Sequence, residues 1–306
     1  MHKLYAHNRI ITMQKIFPSK KKAFSLVELS MVIIVIGLLI SGVTAGGSLV
    51  KNSRISSARS ITLSSQIVTI PGMVLWLENS AKDSFSASQI NGGAQITNWY
   101  NREPSNYLVK NNLTTTASNN VLYQDTSTNN IPAVNMNVTG NMTLANFAGS
   151  TLATSTVVIV FKPTSQTSGT AMVIADSGAS ANTTCSIGIK NNAVSLNAGN
   201  AVDSSTTTNH ASFTMGNSYI LMVYFNGANS KVFANNITEV GGAGAILGAG
   251  TNALDGLTIG ANKSGANGIA AEISEVIVYN RVLKDTEKND VMGYLSKKYK
   301  ISVTGA

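Results

Sequence analysis

"KKKAFSLVELSMVIIVIGLLISGV", Lys20–Val43, decides how the rest of this chain is read. From Met31 to Ile40 only Gly37 is not a large apolar residue. Phe24 to Val43 counts 20 residues, enough to cross about 30 Å of hydrocarbon as a helix. Lys20, Lys21 and Lys22 stand directly before it. Lysines flanking a span stay on the cytoplasmic side, so the bulk of the chain is expected outside the cytoplasm. One residue breaks the pattern. Glu28 places a carboxylate inside the span, at a cost of about 2.5–3.5 kcal/mol on insertion scales, and such a residue marks function by default.

The span does not begin at residue 1. Residues 1–23 carry Lys3, Arg9, Lys15, Lys20, Lys21 and Lys22 and no acid, and Pro18 breaks any helix there. The chain of 306 residues has 22 basic and 14 acidic residues, a formal charge of +8. Removing the six basic residues of 1–23 leaves 16 against 14, or +2. The basicity belongs to the leader, and no basic stripe with interleaved aromatics follows, so no nucleic-acid partner is expected. A cut between Ala23 and Phe24 would give Phe24 a free cationic amine one helical turn from Glu28. The two could pair within one chain, or between chains displaced along a shared axis. A paired carboxylate in low dielectric is penalised far less than an unpaired one, so Glu28 could set the register of a helix bundle. The alternative is an ordinary secretory signal ending at "SGVTAGGS" (Ser41–Ser48).

Ala23, Phe24, Ser25, Leu26, Val27 and Glu28, with the basic flank before and the apolar run after, resemble the prepilin leader of type IV pilins and type II secretion pseudopilins. Ala23 departs from the glycine usual before the cut. The resemblance implies cleavage after Ala23 by a prepilin peptidase and N-methylation of Phe24. It implies insertion in a bacterial inner membrane, then assembly with other subunits through the helices, with Glu28 aligning each to the next. The product would be a periplasmic pseudopilus or an extracellular pilus.

Downstream, Leu49, Ile55, Ala58 and Leu63 recur near helical spacing, which predicts one helix from Phe24 to about Gln66, with Gly46–Gly47 a soft point. Pro71–Gly72 ends it. The domain reading is a leader 1–23, a pilin-type helix 24–70 and a head 71–306. Beyond Pro71, runs such as "MVLWL" (73–77), "TVVIVF" (156–161), "YILMVYF" (219–225) and "AEISEVIVYN" (271–280) alternate with Asn/Ser/Thr/Gly clusters. That texture predicts an all-β sandwich. "NGANSK" (226–231) reads as a hairpin turn, and 110–130 and 200–212 read as polar loops. "LKDTEKNDVMGYLSKKYKI" (283–301) predicts a short amphipathic helix with Val291, Tyr294, Leu295 and Lys298 on one face. Asp285 would be its N-cap, and Lys297, Lys298 and Lys300 would suit the C-terminal dipole. "PGMVLWLENS" (71–80), "ITNWYNR" (96–102) and the stretch 268–301 are similar to concanavalin A-like, laminin-G-like jelly rolls of bacterial surface proteins. The expected class is therefore mainly β: a long N-terminal helix, a concanavalin A-like sandwich and a short C-terminal helix.

The head carries little that suggests catalysis. Sugar-cleaving relatives of that fold class need two carboxylates flanking the bond. Glu272 and Glu275 are three apart and should face opposite sides of a strand, with Glu275 paired to Arg281. His2, His7 and His210 are the only histidines, two of them in the leader. No catalytic residue is assigned. Asp83, Asp125, Asp176, Asp203 and Asp255 offer scattered oxygens without EF-hand spacing, so calcium stays open with no ligand set assigned. Trp76 and Trp99 read as core, with sugar stacking the alternative, and the single cysteine, Cys185, reads as buried and inert. The leading reading is a filament subunit, a minor pilin or pseudopilin displaying an adhesive head. The alternatives are a surface-anchored lectin-like module binding a glycan or protein outside any filament, and a glycan hydrolase.

Overall fold

A computed structural model of the chain describes residues 25–104, 112–115, 120–148, 150–165, 172–178, 184–203, 212–241 and 248–305. It divides into two compact units, one ending at Ser48 and one spanning Leu49–Ala306. Helix α1 (Leu26–Leu63) runs through the boundary and continues across Gly46–Gly47. In the first unit its large apolar side chains are bare: Leu26 is 85% exposed and Val43 75%.

The last strand is the spine of the second unit. β15 (Ala270–Tyr279) pairs along one side with β7 (Ser155–Ser165), and on the other with β5 (Ala133–Met136) and β1 (Met73–Glu78) in series. β12 (Tyr219–Phe225) and β13 (Lys231–Ala234) extend this sheet beyond β7, and β4 (Val121–Gln124) extends it beyond β5. The second sheet runs β11 (Ala201–Asp203), β10 (Ala193–Asn197), β9 (Ser186–Lys190), β8 (Met172–Asp176), β14 (Leu257–Ile259), β6 (Met142–Leu144), β3 (Leu113–Thr114) and β2 (Asn98–Trp99). Both sheets are antiparallel, and with α2 (Asp285–Tyr299) they give the expected mainly β sandwich with a helix at each end of the chain.

Two apolar clusters hold the unit. One fills the space between the sheets, where Leu75, Ile159, Phe161 and Val276 meet Trp99, Ile187, Leu196 and Ile259. The other covers the outer face of the first sheet, where Val158, Val160, Met222 and Ile277 meet Ala58 of α1 and Val291 and Leu295 of α2. A strand buried on both faces needs a continuous apolar run rather than an alternating one. That is why β7 reads "TVVIVF".

Several expectations need correction. The helix ends at Leu63, followed by a 3-10 turn at Gln66–Thr69. Its buried stripe passes through Ala58 and Thr62, while Leu49 and Leu63 are 69% and 85% exposed. The stripe facing the sheet is thus offset from the one the apolar spacing marked. The polar stretch 110–130 contains β3, β4 and a 3-10 turn at Thr128–Asn130. In β4 Val121 and Tyr123 are buried and Leu122 and Gln124 half-buried, and the Asn-, Ser- and Thr-rich residues flanking this short run hid the strand. The stretch 200–212 opens with β11, and most of its remainder lies outside the described residues. Asp285 is not the N-cap of α2. Lys284 holds that position, its N–H donating to Glu287 at 2.8 Å, and Asp285 pairs with Lys288 instead. The turn at 226–231 does join β12 to β13. Gly72, at φ +89°, enters β1 where a Cβ would lie 2.4 Å from Asn280 Oδ1.

Candidate functional site

The unexpected chemistry lies on the apolar face of α2. Lys298 shares that face with Val291, Tyr294 and Leu295, and its side chain is fully buried. An unpaired ammonium there would be very costly, so the face needs acids opposite it. β1 supplies Glu78 and β15 supplies Glu275, whose Oε2 atoms lie 2.8 and 2.7 Å from Lys298 Nζ. Glu275 also accepts from Trp76 Nε1 at 2.7 Å, Tyr294 Oη at 2.8 Å and Tyr299 Oη at 2.9 Å. Ser80 donates to Glu78 through both its N–H and its hydroxyl. Burial opposes the ionised forms of Glu78 and Lys298, but the attraction within the cluster wins. Glu78 is held below its ordinary range by Lys298, and Lys298 well above its own by Glu275 and Glu78. Burial, reinforced by Glu275, raises both tyrosine phenols. A lysine kept as ammonium is no nucleophile, and the site is closed to water. The cluster therefore works as a lock, tying the first strand and the last strand of the sandwich to the last helix.

This overturns the pairing expected for Glu275. Arg281 instead forms a bidentate pair with Glu287, at 2.8 Å for each bond, and holds that carboxyl down at about 2. Nor do Glu272 and Glu275 face opposite ways. A bulge between Ile273 and Glu275 adds a residue, so Glu272 meets Lys162 (2.6 Å) on the outer face and Glu275 meets Lys298 on that same face. Each is committed to a lysine.

The other predicted residues fall as follows. Ala23, Phe24 and His210 lie outside the described residues, as does the side chain of Asp203. Glu28 is in the first turn of α1, and its carboxylate accepts the Ser25 N–H at 2.9 Å. Asp83 pairs with Arg102, and Asp125 with Lys51 at 3.3 Å. Asp176 accepts the backbone N–H of Ser177, Cys185 and Lys263, and Asp255 that of Gly178. Both fasten loops. Among the described residues no three His, Cys, Asp or Glu side chains gather as a metal would require. Trp76 and Trp99 are core, and Trp99 stacks on Phe85 at 5.9 Å between centroids. Cys185 is buried and free, its thiol pushed far up by burial and by Asp176 and Asp255.

Among the clefts of the second unit, two adjoin each other beside α1. A cleft of about 380 Å³ lies between α1 and the segment after β1, walled by Lys51, Arg59, Asn79, Lys82, Phe85 and Tyr123. A smaller one of about 170 Å³ adjoins it through Arg59, Ala81 and Lys82. Neither was marked in the sequence. Lys298 was visible there as a lysine on an apolar helical face, which by itself asks for a buried acid.

No family model matches the chain, and no curated protein matches it. Solved structures do. Trypanosoma rangeli sialidase in complex with 2,3-difluoro-KDN is 15% identical, with a TM-score of 0.50 over 80% of this chain and 39% of that one. The binding domain of Paraclostridial Mosquitocidal Protein 1 is 10% identical, with a TM-score of 0.51 over 74% and 52%. Domain 4 of AbnA, a GH43 extracellular arabinanase from Geobacillus stearothermophilus, is 16% identical, with a TM-score of 0.47 over 72% and 98%. The chain spans 33% of the length of another sialidase chain it matches. At such identities the likeness describes the fold alone: the β-sandwich of the second unit resembles β-sandwiches in the first two of these structures.

Proposed function

We propose that the protein is a pilin-like subunit, a minor pilin or pseudopilin. Its first helix anchors it in a bacterial inner membrane and then packs in a filament, displaying the sandwich outside the cytoplasm. One observation carries this reading: α1 begins at Leu26 with a largely apolar surface exposed from there to Val43, whose one charge is Glu28, three residues after Ser25. Nothing among the described residues of its own unit covers that surface, which lipid or other helices would cover. A plain anchor would account for the apolar surface but not for the acid. Glu28 here caps its own helix through Ser25. After a cut at Ala23–Phe24 the new Phe24 amine would lie within reach of the same carboxylate, and Glu28 would then align neighbouring subunits. The partners are a prepilin peptidase, other subunits of the filament, and a glycan or protein met by the head. No enzymatic activity is proposed, because Glu78, Glu272 and Glu275 are each held by a lysine, and Asp176 and Asp255 by backbone N–H groups.

Mass spectrometry of the mature N-terminus tests the pathway. A chain starting at N-methylated Phe24 is the expected result. An intact Met1, or a cut near Ala45, would sink it. Glu28→Ala should still insert in the membrane but assemble poorly, as read by the filament fraction sheared from cells. Wild-type assembly would remove the alignment role.

A further inference from the structure

The cleft beside α1 combines four features that surface grooves rarely share. Its wall is aromatic: Phe85 and Tyr123 are buried with their rings at 5.7 Å, edge to face. It is basic: Arg59 and Lys82 line it, and the adjoining smaller cleft shares both residues. Arg59 donates through Nε to the Ser80 carbonyl, which fixes the guanidinium and leaves its two terminal nitrogens without a bond among the described residues. Lys82 is exposed and likewise has no ion pair among the described residues, unlike Lys51, which is spent on Asp125. Finally, Asn79 is 3% exposed, and its Oδ1 has no hydrogen-bond partner although its Nδ2 is bonded to the Ile273 carbonyl. A buried acceptor left empty is costly, so such a group calls for a donor.

We propose that this cleft binds an acidic, hydroxyl-rich sugar of the uronic or sialic acid type. The carboxylate meets the free face of Arg59, with Lys82 adding charge. A hydroxyl donates to Asn79 Oδ1 once that side chain turns from its buried position towards the cleft, and the apolar face of the ring lies against Phe85 and Tyr123. The volume suits a mono- or disaccharide, in keeping with sites that bury most of a small ligand. A neutral sugar leaves Arg59 unanswered. A bare phosphate leaves Asn79 and the aromatic wall unanswered. An acidic peptide could answer the cations but offers the wall no rigid ring face. This assignment rests on the reading of the sandwich as the displayed part, and it is independent of how the N-terminus is processed.

The test uses full-length protein in detergent, titrated calorimetrically with 3′-sialyllactose and with a galacturonate trimer. Lactose, inorganic phosphate and a short oligoglutamate serve as comparisons. One of the two acidic sugars should bind at least about tenfold tighter than lactose, a margin of about 1.4 kcal/mol that one charge-assisted hydrogen bond supplies. Arg59→Gln should abolish that margin. Because Arg59 also holds Ser80, Lys82→Glu provides a second variant at an exposed position, and it should weaken acidic sugar without moving the melting temperature. Equal binding of lactose and acidic sugars, preference for phosphate or oligoglutamate, or wild-type affinity in Lys82→Glu and Arg59→Gln would each overturn the assignment. Mass spectrometry of Phe24 on the same sample reports separately on the filament reading, so failure of one does not count against the other.

Discussion

The two sheets bury their strands differently. In the first sheet the outer face lies under α1 and α2, and β7, β12 and β15 are buried over seven, six and nine consecutive residues. In the second, β6 and β10 keep half-buried residues such as Thr143 and Ser195 between buried neighbours. Covering a sheet twice gains apolar burial, but it also shuts in any charge carried by the covering helix. The Lys298 cluster is the result. Its ions are worth little as attraction and much as a constraint, since removing one partner strands the others.

Lys298→Ala tests this most severely. It should destabilise the second unit by about 3–5 kcal/mol in chemical denaturation, because two carboxylates remain buried and unpaired. Adding Glu78→Gln and Glu275→Gln should recover much of the loss; a single mutant as stable as wild type would mean the lock is idle. Next comes Val160→Ser on the doubly covered face, expected to cost about 3 kcal/mol from lost apolar burial and an unpartnered hydroxyl.

Acid should expose the same asymmetry. Glu78 has a lowered folded pKa, so its contribution is present above the ordinary carboxylate range and is lost as pH falls through the folded value. Lys298 has a raised one, so its contribution is complete below the unfolded lysine value and fades as pH rises through the folded value. Melting temperatures should therefore sag at both extremes, and Glu78→Gln should flatten the acid limb. Arg281→Ala removes a partly exposed bidentate pair and should cost about 1 kcal/mol or less. Ser195→Val on β10, in the singly covered sheet, should change stability within about 0.5 kcal/mol. A larger change would mean that face is also covered.

The sandwich was legible because periodicity survives where burial is simple. The runs at 73–77, 156–161, 219–225 and 271–280 all became strands, since β-branched and aromatic residues there have no other stable placement. β3 and β4 were missed because only two to four residues pair and the stretches around them are rich in Asn, Ser and Thr. The lock was half visible. The sequence puts Lys298 on the apolar side of α2, but the identity of its partners depends on β1 and β15 coming side by side. A bulge at Ile273–Glu275 then turned Glu275 towards α2, and no local pattern announces a bulge. The cleft at Asn79 was invisible because its walls come from α1, the segment after β1 and β4.

β1 also bears on the order in which this protein is made. Its pairing partner is β15, and its glutamate's counter-ion is Lys298, 220 residues later in the chain. Contacts that distant form late, because the intervening chain must exist before its ends can meet. Leu75, Trp76 and Leu77 therefore emerge before every other strand of the sandwich and pair only after the last one. Any chain cut short before Lys298 carries a sticky, unpaired first strand for proteases and chaperones to find. Completion of the sandwich thus acts as a proofreading step, and only molecules translated almost to their end can pass it.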